Sequence, residues 1–179
     1  MSNHVENKKD VNLIVAYKLG DRCNGEMLAR SVLDAHYFHA INNGGRVLFT
    51  VLTENVTKIG SGKQPGKIIL TPGDFSRGFE AVIVDFDEFQ NRMPNSSYRN
   101  PSQFDTIQES QSNYTWFELK NPKKLATLAL EQFTNVNTGK PLIESLLVNL
   151  VVFMFSKYAG ITRYWKVHNI NKQNPRKAF

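Results

Sequence analysis

The feature that most constrains this chain is a series of short apolar segments separated by turns rich in glycine and proline. Four of these segments have the β-branched, aliphatic and aromatic residues typical of strands, and they cover residues 11–19, 46–55, 67–72 and 79–86. The segment 46–55 is apolar on both of its alternating faces, which indicates a central strand covered on both sides. We therefore expect a sheet to organise the fold.

Helical periodicity is confined to fewer places. Apolar residues recur at spacings of three and four between Glu26 and Ile41, and two asparagines and two glycines follow, so one helix is predicted there. A short strand is predicted over 115–120, and the pair Asn121-Pro122 directly after it indicates the start of a second helix.

The end of the chain allows two interpretations. Residues 142–160 are dense in apolar side chains, and Pro141 and Gly160 at their ends favour a helix buried on most sides. Residues 148–155 alone would instead suit a central strand. A last strand is predicted over 161–167.

The order of these elements predicts an α+β fold, with a mixed sheet of about five to six strands and about three helices packed on it. We expect a flexible leader at 1–10, a single globular domain at 11–167, and a basic tail at 168–179. Within the domain, residues 90–113 are polar and carry two prolines, so they are predicted to form a long loop that acts as a lid or a contact arm.

Composition narrows the class of protein. The 179 residues are 41% hydrophobic, enough for one compact domain with a core. Cys23 is the only cysteine, which excludes an internal disulfide and disfavours a cysteine-based metal site. Because we find neither a secretory signal nor an apolar run long enough for a membrane span, we expect a soluble, intracellular, cytoplasmic protein.

The net charge of +6 is concentrated towards the C-terminus. Glu144 is the last acidic residue, and six of the 22 basic residues follow it, so residues 1–144 carry 16 of each sign. Such a cationic end attracts nucleic acid, an anionic membrane surface or an acidic protein. Aromatic rings among the cations favour nucleic acid, because rings stack on bases while Lys and Arg neutralise phosphates. The residues predicted to bind nucleic acid here are Lys157, Arg163, Tyr164, Trp165, Lys166, Lys172, Arg176 and Lys177. The alternative is a basic tail that serves solubility alone.

A glycine-rich segment at 57–67 adds a second basic feature. Its glycines and lysines do not have the spacing of a nucleotide-binding P-loop, since Gln64 stands where Ser or Thr is required. The segment is predicted to be a flexible turn in which Lys63 and Lys67 contact a nucleic-acid backbone.

An acidic group offers a different function. The strand 79–86 leads into Asp85 and Asp87, and the strand 115–120 contains Glu118 and Lys120, whose side chains point to the same face. Together they resemble the PD-(D/E)xK nuclease pattern, although no Pro precedes either aspartate. The resemblance implies that Asp85, Asp87 and Glu118 hold Mg²⁺ and that Lys120 helps to activate water. The simpler alternative is a solvated end of a strand.

We therefore expect a small, non-catalytic nucleic-acid-binding protein without a cofactor. The first alternative is a divergent metal-dependent nuclease that uses Mg²⁺. The second is an interaction or assembly protein that binds a protein partner or associates with itself.

Overall fold

The computed structural model describes residues 9–20, 27–52, 64–104, 114–149 and 151–156. In chain order these residues form β1 (Lys9–Leu19), α1 (Ala29–Asn42), β2 (Arg46–Leu52), β3 (Gln64–Pro72), β4 (Arg77–Glu88), β5 (Tyr114–Ala126), α2 (Thr127–Leu130), β6 (Phe133–Asn135), α3 (Leu142–Val148) and β7 (Val151–Ser156).

The strands form one sheet in the order β2-β5-β4-β3-β1-β7-β6. Strands β1 and β3 pair in parallel, and the other neighbouring pairs are antiparallel. The predicted α+β class with a mixed sheet is thereby confirmed, although seven strands rather than five or six lie within the described residues. None of the helices in these ranges is both long and apolar enough to cross a membrane.

Helix α1 covers one face of the sheet, which we call the first face. Its buried residues recur at helical spacing, and Val32 and Leu33 pack with Val15, Phe49 and Leu70 from three strands. The chain leaves the helix through two glycines with positive φ, at 44 and 45, a backbone conformation that favours glycine.

The opposite face of the sheet, which we call the second face, is covered in two separate places. Over β1, β3 and β7 the cover comes from α2 and α3, with Leu130 and Leu142 in contact with the sheet residues beneath them. Over β2 and β5 the cover comes from residues 89–104, whose Tyr98 packs on Leu48 and Trp116. A strip of sheet lies between these two covers.

The segment 89–104 also wraps around the edge strand β2. Tyr98 packs on the second face, whereas Phe104 reaches the first face and stacks on the ring of His36. Between them, the backbone N–H of Leu48 in β2 donates a hydrogen bond of 3.1 Å to the carbonyl of Arg99. The described part of the predicted long loop is therefore anchored to the sheet on both sides of its edge.

Two predicted helices are wrong in their extent. Strand β5 continues to Ala126 through the predicted helix start at Asn121 and Pro122, and α2 occupies only the four residues that follow. The predicted helix over 142–160 ends at Val148, and the β-branched and aromatic run after it pairs with β1 as strand β7. The strand interpretation of this apolar run was thus the right one for its second half.

Other boundaries move by a few residues. Strand β1 begins at Lys9, inside the predicted leader, and β3 begins at Gln64, inside the predicted turn. The strand predicted over 161–167 lies outside the described residues.

Candidate nucleic-acid interface

The strip of sheet between the two covers carries a row of basic side chains. Arg46 in β2 lies opposite Lys120 in β5, Lys120 lies opposite Val82 in β4, and Val82 lies opposite Lys67 in β3. Neighbouring strands are about 4.8 Å apart, so this row crosses about 14 Å of the second face. Lys123 in β5 adds a fourth cation in the next row, opposite Glu80.

Most of this positive charge has no counter-ion among the residues that the structure describes. Lys67 makes an ion pair of 2.9 Å with Glu80, whose side chain is mostly buried. Within the described part of the chain, Arg46, Lys120 and Lys123 make no ion pair, and all three are exposed. The apolar neighbour in the row, Val82, is 40% exposed. The strip is therefore an open, cationic surface with a small apolar patch at its centre.

A bulge in β5 brings Lys120 and Lys123 to the same face. Residues three apart in a regular strand point to opposite faces, but here the register is irregular between the two lysines, and they oppose Val82 and Glu80, which are two apart. Asn121, inside the bulge, has a φ of 53°, a conformation that asparagine tolerates better than most residues. Pro122 suits the bulge because it has no N–H to leave unpaired.

The bulge is held by the turn that follows α1. The backbone N–H of Asn121 donates a hydrogen bond of 2.9 Å to the carbonyl of Gly45. A Cβ at Gly45 would lie 3.2 Å from Oδ1 of Asn121, so glycine allows the close approach of the two backbones. The position of Lys120 next to Arg46 thus depends on a specific contact between β5 and the start of β2.

This arrangement is unfavourable for stability alone. Like charges directly opposite each other on neighbouring strands repel, and Arg46 and Lys120 form such a pair. In the described part of the fold, the two are not relieved by an ion pair with a carboxylate. An anion bound across the strip would remove the repulsion, which is why we consider the strip as a binding site.

The acidic residues singled out in the sequence lie beside the strip, on the same face. Asp85 is directly opposite Glu118, and Asp87 is opposite Trp116. Lys120 follows Glu118 on this face. These four residues thus lie on one face of two neighbouring strands, and their role in a metal-dependent reaction stays a prediction.

The oxygens of the two aspartates are already used within the protein. Arg92 donates to Oδ2 of Asp85 at 2.8 Å and to Oδ2 of Asp87 at 3.3 Å. Their Oδ1 atoms accept the N–H groups of the residues that follow them, at 2.9 Å and 2.8 Å. The hydrogen bond with Asp85 is the main reason that the pKa of Arg92 is raised above its ordinary value.

Glu118 also attaches the segment 89–104 to the sheet. Its side chain is only 5% exposed, and its Oε1 accepts the backbone N–H of Asn95. A buried carboxylate needs such a donor, because burying an unpaired charge is costly. With Arg92, this contact ties residues 92–95 to the sheet. Among the described residues, no group of three or more His, Cys, Asp or Glu side chains is arranged to hold a metal ion.

Trp116 belongs to the same attachment and cannot stack on a base. It is 0% exposed, its Nε1 donates to the carbonyl of Arg92 at 2.8 Å, and the Arg92 guanidinium lies 5.0 Å from the ring centroid. The ring therefore packs under residues 89–104, with its one donor satisfied.

Most of the residues predicted from the sequence to bind nucleic acid lie outside the described part of the chain. This holds for Lys63 and for the C-terminal set of Lys157, Arg163, Tyr164, Trp165, Lys166, Lys172, Arg176 and Lys177. Lys67, the remaining member, lies in the strip. Arg46 and Lys123 could not be singled out from the sequence, because their common face becomes visible only when the bulge and the strand register are known.

No protein-family model matches the chain, and no curated protein or solved structure shows significant similarity to it.

Proposed function

We propose that this protein binds nucleic acid without catalysing a reaction on it, and that the cationic strip of Arg46, Lys120, Lys123 and Lys67 is the binding surface. The observation that carries the proposal is the placement of these side chains on a part of the second face that the described helices and the segment 89–104 leave uncovered. A group of neighbouring cations, most of them without an ion pair among the described residues, is suited to the phosphates of a nucleic-acid backbone.

The charge distribution of the whole chain supports the same function. All of the net charge of +6 comes from residues after Glu144. These residues add a second source of positive field to that of the strip. We propose that they strengthen the attraction of the phosphates and that Tyr164 and Trp165 contact bases or ribose.

The dependence of affinity on salt tests this proposal quantitatively. Each neutralised phosphate of a single strand contributes about −0.7 to the slope of log K against log salt, so the three unpaired cations of the strip contribute about −2. We expect Lys120→Gln to weaken binding and to make the slope shallower by about 0.7. Fluorescence anisotropy of a labelled oligonucleotide at several salt concentrations measures both quantities.

Lys140→Gln is the matched control, since it removes the same charge at a position two residues before α3, where Lys140 pairs with Glu144. An equal loss of affinity in both variants would show that the net charge, rather than the strip, determines binding. Replacing Lys172, Arg176 and Lys177 together by glutamine in the full chain measures the share of the C-terminal residues in the same way.

The nuclease alternative is favoured by one observation, the pairing of Asp85 with Glu118 across β4 and β5. The ion pairs of Arg92 with both aspartates count against it, because a metal would have to displace this guanidinium. Incubation of the protein with DNA or RNA and Mg²⁺ or Mn²⁺ decides between the two functions. We expect intact substrate; cleavage products that disappear in a folded Glu118→Gln variant would establish the nuclease instead.

A further inference from the structure

We infer that the strip binds a single strand of nucleic acid in preference to a duplex, an inference that depends on the proposed function. The reason is the shape of the surface around the cations. The two covers of the second face stand on either side of the strip, so that the strip is the floor of a trough.

One wall of the trough is the layer made by α2 and α3. It begins at Gly78 of β4, where a Cβ would lie 2.7 Å from Cδ2 of the buried Leu130. The other wall is the segment 89–104, which begins at Val84 of β4, where Val84 packs against the cluster of Tyr98 and Trp116. Val84 is six positions after Gly78 in the strand, so the two walls start about 20 Å apart along it.

The trough is closed at one end. Beyond Lys67, the next residue in the row is Ile14 of β1, which is buried beneath the layer of α2 and α3. The other end is open, because Arg46 lies on the edge strand β2 and is exposed. Arg99, also exposed, lies beside that edge and adds a cation at the opening.

These dimensions favour one chain of nucleic acid. The distance of about 20 Å joins backbone positions and is no wider than a double helix, so a single backbone can lie on the floor whereas a double helix cannot lie between the walls. The row of cations, about 14 Å long, runs from the opening towards the closed end and follows the path of such a backbone.

The floor also indicates how the strand is recognised. In the described residues it offers cations and the exposed Val82 but no exposed aromatic ring, since Trp116 is buried. Phosphate and sugar contacts carry little sequence information. We therefore expect binding at the strip to be largely independent of base sequence.

Competition between two DNA ligands tests the inference, with the full-length protein at physiological salt. The ligands are a 20-nucleotide oligothymidylate, which has little structure of its own, and a 20-base-pair duplex. A flat cationic surface would favour the duplex, because a duplex carries twice the charge per unit length. We expect the reverse order, with the single strand bound at least about tenfold more tightly.

Each outcome has a separate meaning. Preference for the single strand, with a shallower salt slope in Lys120→Gln, supports the inference. Equal or tighter binding of the duplex, still weakened by Lys120→Gln, overturns the inference and leaves the proposed function intact. Failure of both ligands to bind overturns the proposed function as well. Single-strand binding that responds equally to Lys120→Gln and Lys140→Gln shows that the trough is not the site.

Discussion

Removing the hydroxyl of Tyr17 should stabilise the protein. Tyr17 lies in β1 on the first face, is 2% exposed, and meets Phe117 edge-on with ring centroids 6.0 Å apart. Its Oη is buried, and no group among the described residues forms a hydrogen bond with it. Tyr17→Phe keeps the ring and its packing while removing an unsatisfied polar atom.

The expected gain follows from the cost of that atom. A buried polar group without a partner costs about 1–3 kcal/mol, and the replacement loses only the van der Waals contacts of one oxygen. We therefore expect Tyr17→Phe to raise the free energy of unfolding by about 1 kcal/mol. For a chain of this size, this corresponds to an increase of about 2–4 °C in Tm. In urea, the midpoint should rise by about 0.5 M if the m-value is about 2 kcal/mol/M.

Measurements at alkaline pH give a second, independent readout. Burial raises the pKa of Tyr17 well above its ordinary value near 10. Above pH 10 the unfolded chain loses the phenolic proton of Tyr17 while the folded chain keeps it. The wild type therefore loses stability as the pH rises. The loss due to Tyr17 approaches about 1.4 kcal/mol per pH unit, and the Phe variant is free of it.

The assay is urea denaturation of both proteins at pH 7 and at several values above pH 10. The stability difference should be about 1 kcal/mol at neutral pH and should grow with pH. A variant less stable than the wild type at pH 7, or two stability curves that stay parallel through the alkaline range, would refute the reasoning. Either result would mean that the hydroxyl has a partner in solution.

Two further substitutions test the walls of the trough. Gly78→Ala should lower stability by about 1–3 kcal/mol in urea denaturation, because the added Cβ meets Leu130, whereas Gly73→Ala, with open space around it, should be close to neutral. Arg92→Gln should cost less than about 1 kcal/mol, because the ion pairs it breaks are half-exposed. In a Trp165→Phe background, where Trp116 is the remaining tryptophan, Arg92→Gln should nevertheless change the fluorescence of Trp116, because the Arg92 guanidinium covers its ring. An unchanged spectrum would mean that residues 89–104 do not depend on the contact between Arg92 and Trp116.

The central strands could be predicted from the sequence because burial on both faces leaves a continuous apolar run. The run 13–17 of β1 is buried throughout and reads as a strand without any knowledge of its neighbours. Alternation alone could not place Asp85 and Glu118 on one face, because Asp85 is three residues after Val82 and only the irregular pairing between Ile83 and Asp85 brings it to the second face.

The course of β5 could not be predicted locally. Asn121-Pro122 carries the residue types of a helix start, and its use in a bulge depends on β4, which is long enough to pair with residues 123–126. The cationic strip depends on that same pairing, which is why Lys123 was missed. Residues 142–156 were ambiguous for a similar reason, because the apolar run of β7 becomes a strand only by pairing with β1.

The wrapping of β2 has a consequence for the behaviour of the protein at high concentration. Exposed borders of β-sheets are where one folded molecule can template the strands of another. At one border the N–H of Leu48 is already bonded to Arg99, and at the other β6 offers only three residues for pairing. We expect native molecules to resist polymerising edge to edge, and aggregation to start from molecules in which the segment around Arg99 has come away from β2.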